Sequence, residues 1–265
     1  MLKFIFALPL AISGPGIILL LSLFGIGGLL FVRRCVLPHW RVRLEDSEFT
    51  GAMVQAVLVF YGLAVALIAV SVWQTYSDVS KIVSQEATAL AALYRDVSGY
   101  PEPIRGQLQQ LLREYVDYTI NEAWPVQRQG LIPAKGIQQI DRFQATLVAY
   151  EPTSEGQKLL HAEALRAYNN MMLSRRMRLD AVKTGLPLIL WMVVGAGAVI
   201  SLSASFFFQV EEVRLHATLV VLLAMFIGLV IFMTLALDHP FQGDLGISPE
   251  PYQLIYDHLM KPAET

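Results

Sequence analysis

The residues best suited to chemistry lie near the C-terminus, in segment 238–244 (DHPFQGD), directly after a long apolar run. Further carboxylates follow at Glu250 and Asp257. Carboxylate oxygens are ligands that a hard cation such as calcium prefers, so Asp238 and Asp244 are candidate cation ligands. Their spacing differs from that of an EF-hand loop. The simpler interpretation is a turn that docks the C-terminal tail on a helical domain.

No pattern typical of an enzyme active site is present. The sequence lacks a phosphate-binding glycine loop, the zinc-protease helix motif and a nucleophile elbow. The five histidines are scattered, and none lies in a recognisable triad context. The single cysteine, Cys35, cannot form an internal disulfide. The sequence therefore predicts a protein that is not an enzyme and needs no organic cofactor, with calcium as the metal its carboxylates suggest.

The bulk composition indicates a membrane protein. Hydrophobic residues make up 55% of the 265 residues and charged residues only 16%, and the mean hydropathy is +0.50. A soluble domain usually carries more charge and less apolar surface than this. The net charge of -2 provides no strong field of one sign. The expected partner is therefore the lipid bilayer and not nucleic acid.

Four stretches without a charged residue are candidates for membrane spans. They are residues 17–32, 51–73, 185–210 and 217–237. A spanning helix needs about 20 apolar residues, and a helix satisfies its backbone polar groups internally, as lipid requires. The sequence thus predicts a multi-pass protein of the inner (cytoplasmic) membrane.

The beginning of the chain allows two interpretations. Lys3 followed by a short apolar run resembles a cleaved signal peptide, but the apolar stretch continues too far for one. Residues 14–16 (GPG) predict a break or kink before the first span.

Small residues recur within the spans at intervals typical of helix packing. They are Gly25 and Gly28 on the first span, Gly62 and Ala66 on the second, and Gly197, Ser201 and Ser205 on the third. Close approach of helices is the simpler explanation. For the second span, lining of a pore is the alternative. The spans contain no charged residue or histidine, which argues against a proton-relay transporter.

The middle of the chain, residues 74–184, is predicted to form a water-exposed helical domain. It contains 13 Lys and Arg and 12 Asp and Glu residues, with apolar residues at helical spacing. One apolar stripe continues from the second span through Val79 to Val97 with no intervening proline, which predicts a single long helix. Ser154 and Gln157 have the spacing of a capping box at the start of a later helix. The predicted class is all-α.

These elements predict four parts in chain order. Residues 1–73 form a first transmembrane hairpin, 74–184 a helical extramembrane domain, 185–237 a second hairpin, and 238–265 a C-terminal tail.

Charges near the spans give no clear orientation. Five cations flank one side: Arg33, Arg34, Arg41, Arg43 and Arg214. Seven lie near spans on the other side: Lys3, Lys81, Arg166, Arg175, Arg176, Arg178 and Lys183. By the positive-inside rule the five would face the cytoplasm, and short loops count for more than long domains, so the two totals leave the orientation open.

Several segments resemble the bestrophins. The segment 238–244 (DHPFQGD) after the fourth span is similar to the Asn-Pro-Phe-Gly-Asp/Glu segment after their last span. The second span, continuing through 73–78 (WQTYSD) to 94–96 (YRD), is similar to their pore helix and its extension. The closer resemblance, over nearly the whole chain, is to a bacterial bestrophin-like group of unassigned function. It includes 101–103 (PEP), 113–115 (REY) and the run from Pro240 to Glu250.

The resemblance implies a pentameric channel that conducts mainly anions, with a cytoplasmic helical domain and a pore lined by the second span. In the nearest register, the pore-lining residues would be Gly62, Ala66 and Val70. Bestrophins have bulky apolar side chains there, so a dewetting gate would be weaker or lie elsewhere. The calcium site of bestrophins uses a run of consecutive acidic residues. Of that run only Asp244 remains here, and Asp238 precedes the segment.

Two hypotheses of function follow. The first is a homo-oligomeric channel for inorganic ions, with the second span around the pore. The second is a membrane-embedded sensor or scaffold whose helical domain binds a ligand or a protein partner. No signalling output domain is present in the sequence, which favours the first hypothesis.

Overall fold

A computed structural model of the chain describes residues 10–40, 47–208 and 212–261. Every regular element in these ranges is helical, which confirms the all-α prediction. The α-helices are α1 (Leu10–Phe31), α2 (Leu37–Trp40), α3 (Ser47–Val97), α4 (Ile104–Tyr118), α5 (Trp124–Gln127), α6 (Lys135–Val148), α7 (Glu155–Ala181), α8 (Leu188–Ser205), α9 (Val213–Asp238) and α10 (Glu250–Ile255). π-helical turns occupy Val32–Val36, Thr119–Ala123 and Tyr256–Met260. Three of the cations counted above, Lys3, Arg41 and Arg43, lie outside the described ranges, and so does Val210, the end of the predicted third span.

Four of these helices, α1, α3, α8 and α9, are long and apolar enough to cross a membrane. They correspond to the four predicted spans, two before and two after the charged middle of the chain. Helix α8 is shorter than the predicted segment and has 18 residues, from Leu188 to Ser205. At 1.5 Å per residue this is about 27 Å, close to the thickness of the hydrocarbon core.

The predicted break near Pro15 is wrong, because α1 runs without interruption from Leu10 to Phe31 and contains Pro15. A proline within a membrane helix is tolerated when its neighbours compensate for the lost backbone hydrogen bond. The adjacent glycine has a packing role instead. A Cβ atom on Gly14 would lie 3.1 Å from the ring of Phe232 on α9, so the glycine allows close contact between the two helices.

The chain divides into two compact units. The first, which we call the membrane unit, comprises residues 1–74 and 185–238. The second, the helical unit, comprises residues 75–184 and 239–265.

Glycines allow close helix contacts inside the membrane unit, as their spacing predicted. A Cβ atom on Gly25 would lie 2.9 Å from Val220 of α9, and one on Gly28 would collide with Phe206. One on Gly197 of α8 would collide with the ring of Tyr61 on α3. The close-packing interpretation is therefore confirmed for these three glycines. The first span thus packs on the fourth and, at Gly28, on Phe206 at the end of the third, and the second packs on the third.

Helix α3 contains 51 residues, which confirms the prediction of one long helix. No proline or glycine occurs between Leu63 and Val97, so nothing in the sequence interrupts the backbone hydrogen bonds there. The helix ends just before Gly99 and Pro101.

The helical unit is organised around one apolar core. The buried side chains of α3 in this core lie three, four or seven residues apart, and so on one face of the helix, at Val79, Val83, Leu90, Leu93 and Val97. Helix α7 begins with the predicted capping box: the Ser154 hydroxyl accepts a hydrogen bond from the Gln157 amide, and the Gln157 side chain accepts one from the Ser154 amide.

Candidate functional site

The predicted pore-lining residues lie on an exposed face of α3. Gly62 and Ala66 are exposed, and Val70 has 53% of its surface accessible. The opposite face of the same helical stretch is buried, with Val65 and Val72 at 5% and 4% exposure. The stretch is therefore two-sided, with one face packed within its own chain and the other uncovered.

The exposed face forms a continuous stripe. Residues four apart lie on one side of a helix, about 6 Å apart along its axis, so Gly62, Ala66 and Val70 follow one another. Bulky apolar side chains flank them, and Phe60 and Leu67 are 72% and 64% exposed. The first charged residue after this stretch is Asp78. Such a surface can face lipid, or it can line an uncharged pore that is gated by dewetting.

Gly62 differs from the glycines that serve helix packing. A Cβ atom added to it would have no neighbour within 4 Å, whereas the same atom on Gly197 would collide with Tyr61. Packing within the chain therefore does not explain a small residue at Gly62.

The carboxylate of Asp238 is buried at the C-terminal end of α9, with 3% exposure. It accepts a hydrogen bond of 2.6 Å from the amide of Leu186 and one of 3.2 Å from the indole Nε1 of Trp191. These bonds tie the end of the fourth span to the start of the third. A cation at Asp238 would have to compete with both donors.

Asp244 is exposed in the turn that follows. Gly243 before it has a φ of +73°, a conformation that glycine adopts without strain. Asp238 belongs to the membrane unit and Asp244 to the helical unit. Within residues 10–40, 47–208 and 212–261, no group of three or more His, Cys, Asp or Glu residues is placed to hold a metal ion. Calcium takes six to eight oxygen ligands, a set these two residues do not supply, and their role in cation binding stays a prediction.

The rest of this C-terminal segment is fixed to the helical unit, as the docking interpretation predicted. Phe241, Ile247 and Tyr252 are buried in its core. The indole of Trp124 donates a 3.0 Å hydrogen bond to the carbonyl of Ile247, and its ring lies 5.5 Å from those of Phe241 and Tyr252. The hydroxyl of Tyr76 donates to the carbonyl of Leu245 at 2.9 Å.

The sequence interpretation missed a set of polar side chains inside the helical unit. We call Glu86, Tyr115, Gln127 and Arg178 the buried polar cluster, because each of them is at most 2% exposed. Arg178 donates to Glu86 through Nε at 2.7 Å and through Nη2 at 3.1 Å. It also donates through Nη1 to Gln127 at 2.6 Å, and the hydroxyl of Tyr115 donates to Glu86 at 3.1 Å.

The signal for this cluster was present in the apolar periodicity. Glu86 falls between Val83 and Leu90 in the buried stripe of α3, at a position that an apolar residue would be expected to occupy. Arg178 follows Ala167 and Met171 on the buried side of α7 in the same way. An acid and a base at core positions of two amphipathic helices are a sign of a buried ion pair.

Burial and charge together set the protonation states in the cluster. Burial raises the pKa of the Tyr115 phenol to about 12, and the negative charge of Glu86 acts in the same direction. Burial disfavours the charged form of Arg178, but the attraction of Glu86, Tyr252 and Tyr115 and the hydrogen bond to Glu86 together outweigh it and raise the pKa of the guanidinium well above its ordinary value. Arg178 therefore stays cationic and Tyr115 neutral at any physiological pH.

Comparisons with known proteins agree with this architecture. Residues 19–252 match the family described as the Bestrophin-like domain. The fold is similar to the crystal structure of a mutant bacterial bestrophin homologue from Klebsiella pneumoniae, with a TM-score of 0.70 and 10% sequence identity, covering 92% of this chain and 98% of that one. No curated protein matches the sequence. Because the family match spans most of its length, the chain belongs to the Bestrophin-like family.

Proposed function

We propose that this membrane protein is an ion channel in which several copies of the chain surround a pore lined by α3. The observation that carries the proposal is the two-sided character of α3: one face packs on its own chain, while Gly62, Ala66 and Val70 lie uncovered on the other. Membership of the Bestrophin-like family and the resemblance to bestrophin channels support it. By the same resemblance we infer a pentamer, located in the inner membrane of a bacterium.

The other spans make weaker candidates for the pore lining. Their uncovered faces carry large side chains such as Leu23 of α1, Ile200 of α8 and Phe226 of α9, at 62%, 56% and 65% exposure. Such residues suit contact with lipid tails, and Gly25 and Gly28 of α1 and Gly197 of α8 are used in packing within the chain. Exposed glycines without a packing neighbour also occur at Gly27 of α1 and Gly195 of α8, so the choice of α3 rests on its resemblance to the bestrophin pore helix together with its exposed stripe.

The chemistry of this face limits how such a pore would select ions. Residues 51–77 carry no charge, so a ring of charged side chains cannot act as the filter within the span. Val70 is the bulkiest of the three proposed lining residues. A barrier to ions in this stretch would then come from narrowing at Val70, with weaker dewetting than bulkier apolar side chains would give, and not from charge attraction. Anions would be the permeant class implied by the resemblance.

The experiment is ion flux through the purified protein in liposomes, combined with cysteine labelling. In a Cys35→Ser background, which removes the exposed native thiol, Gly62, Ala66 and Val70 are replaced one at a time by cysteine. We expect chloride flux, and its block by a charged, water-soluble thiol reagent in these variants. The matched controls are Val65→Cys on the buried face and Leu222→Cys, which is 56% exposed on α9 and would face lipid.

Block in the three variants and not in the controls would support the pore assignment. Equal labelling at Leu222 and Val70, with flux unaffected, would show that α3 does not line the pore. No flux from the parent protein with any ion, pH or calcium level would contradict the channel itself.

A second function, binding of a small ligand by the helical unit, is favoured by one observation. A crevice of about 270 Å³ lies between α3 and the C-terminal segment, lined by Tyr76, Ser80, Ser248 and Glu250 among others. Its two serine hydroxyls and one carboxylate would suit a small polar molecule. Liposomes without ion flux, together with saturable ligand binding that Ser80→Leu abolishes, would make a sensor the better interpretation.

A further inference from the structure

The ion pair between Glu86 and Arg178 is unusual in being completely enclosed. The side chain of Glu86 has no exposed surface and that of Arg178 has 2%. Removing two charges from water is costly, and a buried ion pair is often no more stabilising than apolar residues of the same volume. Stability alone therefore gives little reason for this pair, and its geometry has to be considered.

The pair admits a single arrangement. Both oxygens of Glu86 accept hydrogen bonds from the planar fork of Arg178, and the third guanidinium nitrogen is held by Gln127. The guanidinium carbon lies 5.5 Å from the centre of the Trp124 ring and 5.7 Å from that of Tyr252. The hydrophobic attraction between apolar side chains has no direction, whereas a two-point hydrogen-bonded fork cannot shift without breaking.

The two charged residues lie on helices that continue along the chain into membrane spans or end close before one. Glu86 is on α3, the same uninterrupted helix that carries Val70, and lies 16 residues further along the chain. Arg178 is in the last turn of α7, which ends at Ala181, shortly before the third span begins at Leu188.

We propose that Glu86 and Arg178 are positioning residues of the channel, which fix the register of α3 against α7 and thereby bias the equilibrium between closed and open pores. The proposal rests on the proposed channel function. It assigns these residues no contact with the permeant ion. Their removal therefore changes how often the pore opens and leaves the choice of ion unchanged.

The test separates this role from a purely structural one. The double variant Glu86→Leu/Arg178→Met replaces the pair with apolar residues of similar volume. Its matched control is Asp78→Asn/Lys81→Met, which removes an ion pair on the same helix that is 67% exposed on both sides. Both proteins are compared with wild type for thermal unfolding, oligomer size, reversal potential and open probability in planar bilayers.

We expect the buried double variant to keep its oligomer size and reversal potential and to change open probability about fivefold or more, the lower end of typical coupling between sites. The control variant keeps wild-type open probability. If the buried double variant fails to fold, Arg178→Lys serves instead, because it keeps the charge and loses the two-point fork. The same change in open probability is expected for it.

A folded variant that opens as wild type does would overturn the inference and leave the channel proposal intact. A change in reversal potential would overturn it too, because it would place the pair in the ion path. A wild-type protein that passes no ions would instead refute the proposed function, and this inference with it.

Discussion

The ring of Tyr61 covers Gly197 so closely that a Cβ atom at that position would collide with it, and the Tyr61 hydroxyl donates a 3.1 Å hydrogen bond to the carbonyl of Val194. The contact joins α3 to α8 on the side of α3 opposed to its exposed stripe. Because the proposed pore face is uncovered, contacts such as this one hold α3 within its own subunit.

Substitution of Gly197 by valine should therefore destabilise the protein. Forcing extra carbon atoms into a packed contact typically costs about 1 to 3 kcal/mol, and here the ring of Tyr61 would have to move. Thermal unfolding in detergent measures the effect. The control is Gly195→Val on the same helix, where an added Cβ would meet no atom within 4 Å. Equal stability of the two variants would contradict the packing described here.

Removing one member of the buried ion pair should be more damaging than removing both. Glu86→Ala leaves the Arg178 guanidinium enclosed without its counter-charge, and breaking a buried pair in this way costs about 3 to 5 kcal/mol. Lys81→Ala, which breaks the exposed pair with Asp78 on the same helix, is expected to change stability little. Chemical unfolding of both variants provides the comparison. A small loss in Glu86→Ala would mean that water enters the cluster.

The pair also illustrates what the sequence could and could not predict. The length of α3, the four spans and the capping box at Ser154 were predictable because each depends on residues close in the chain. The partner of Glu86 is 92 residues away, and only the folded core brings it near. An acid within an apolar stripe indicates a buried partner without identifying it.

The glycines show the same limit of prediction from sequence. Gly62 and Gly197 occur in similar apolar surroundings and both have the spacing of small residues that pack helices. Which of them meets a neighbour depends on the side of its helix that faces another span. Gly197 lies against Tyr61, whereas Gly62 lies against nothing in its own chain. Helix periodicity shows which residues share one face of a helix, but it does not show which residues that face contacts. Pro15 likewise predicted a break, but α1 continues through it, and Gly14 beside it packs on Phe232 of α9.

Ionisation of Tyr115 should destabilise the helical unit at alkaline pH. Burial raises its pKa from 10.0 to about 12 in the folded protein. The folded state therefore retains the phenolic proton more strongly than the unfolded state does. Its stabilising contribution is complete below pH 10 and is lost between pH 10 and 12, by about 3 kcal/mol at most.

Unfolding free energies measured from pH 8 to 11.5 test this expectation. Wild type should lose stability above pH 10, and Tyr115→Phe should lose less, because phenylalanine cannot ionise. The buried Tyr252 has its pKa raised in the same direction, so part of the loss remains in the variant. Identical curves for the two proteins would mean that Tyr115 keeps the same pKa on unfolding.

Two arguments about the orientation of the chain in the membrane oppose each other. The short-loop cations, Arg33 and Arg214 among them, favour that side as cytoplasmic, whereas the bestrophin-type function implies a cytoplasmic helical unit. The two charge totals do not settle the orientation, so we follow the resemblance to bestrophins and expect the helical unit inside. A fluorescent protein fused after Thr265 should then fluoresce, and alkaline phosphatase fused there should be inactive. The same reporters inserted after Glu211, between α8 and α9, should give the opposite result. Active phosphatase at Thr265 would place the helical unit outside the cytoplasm and favour ligand sensing over bestrophin-type conduction.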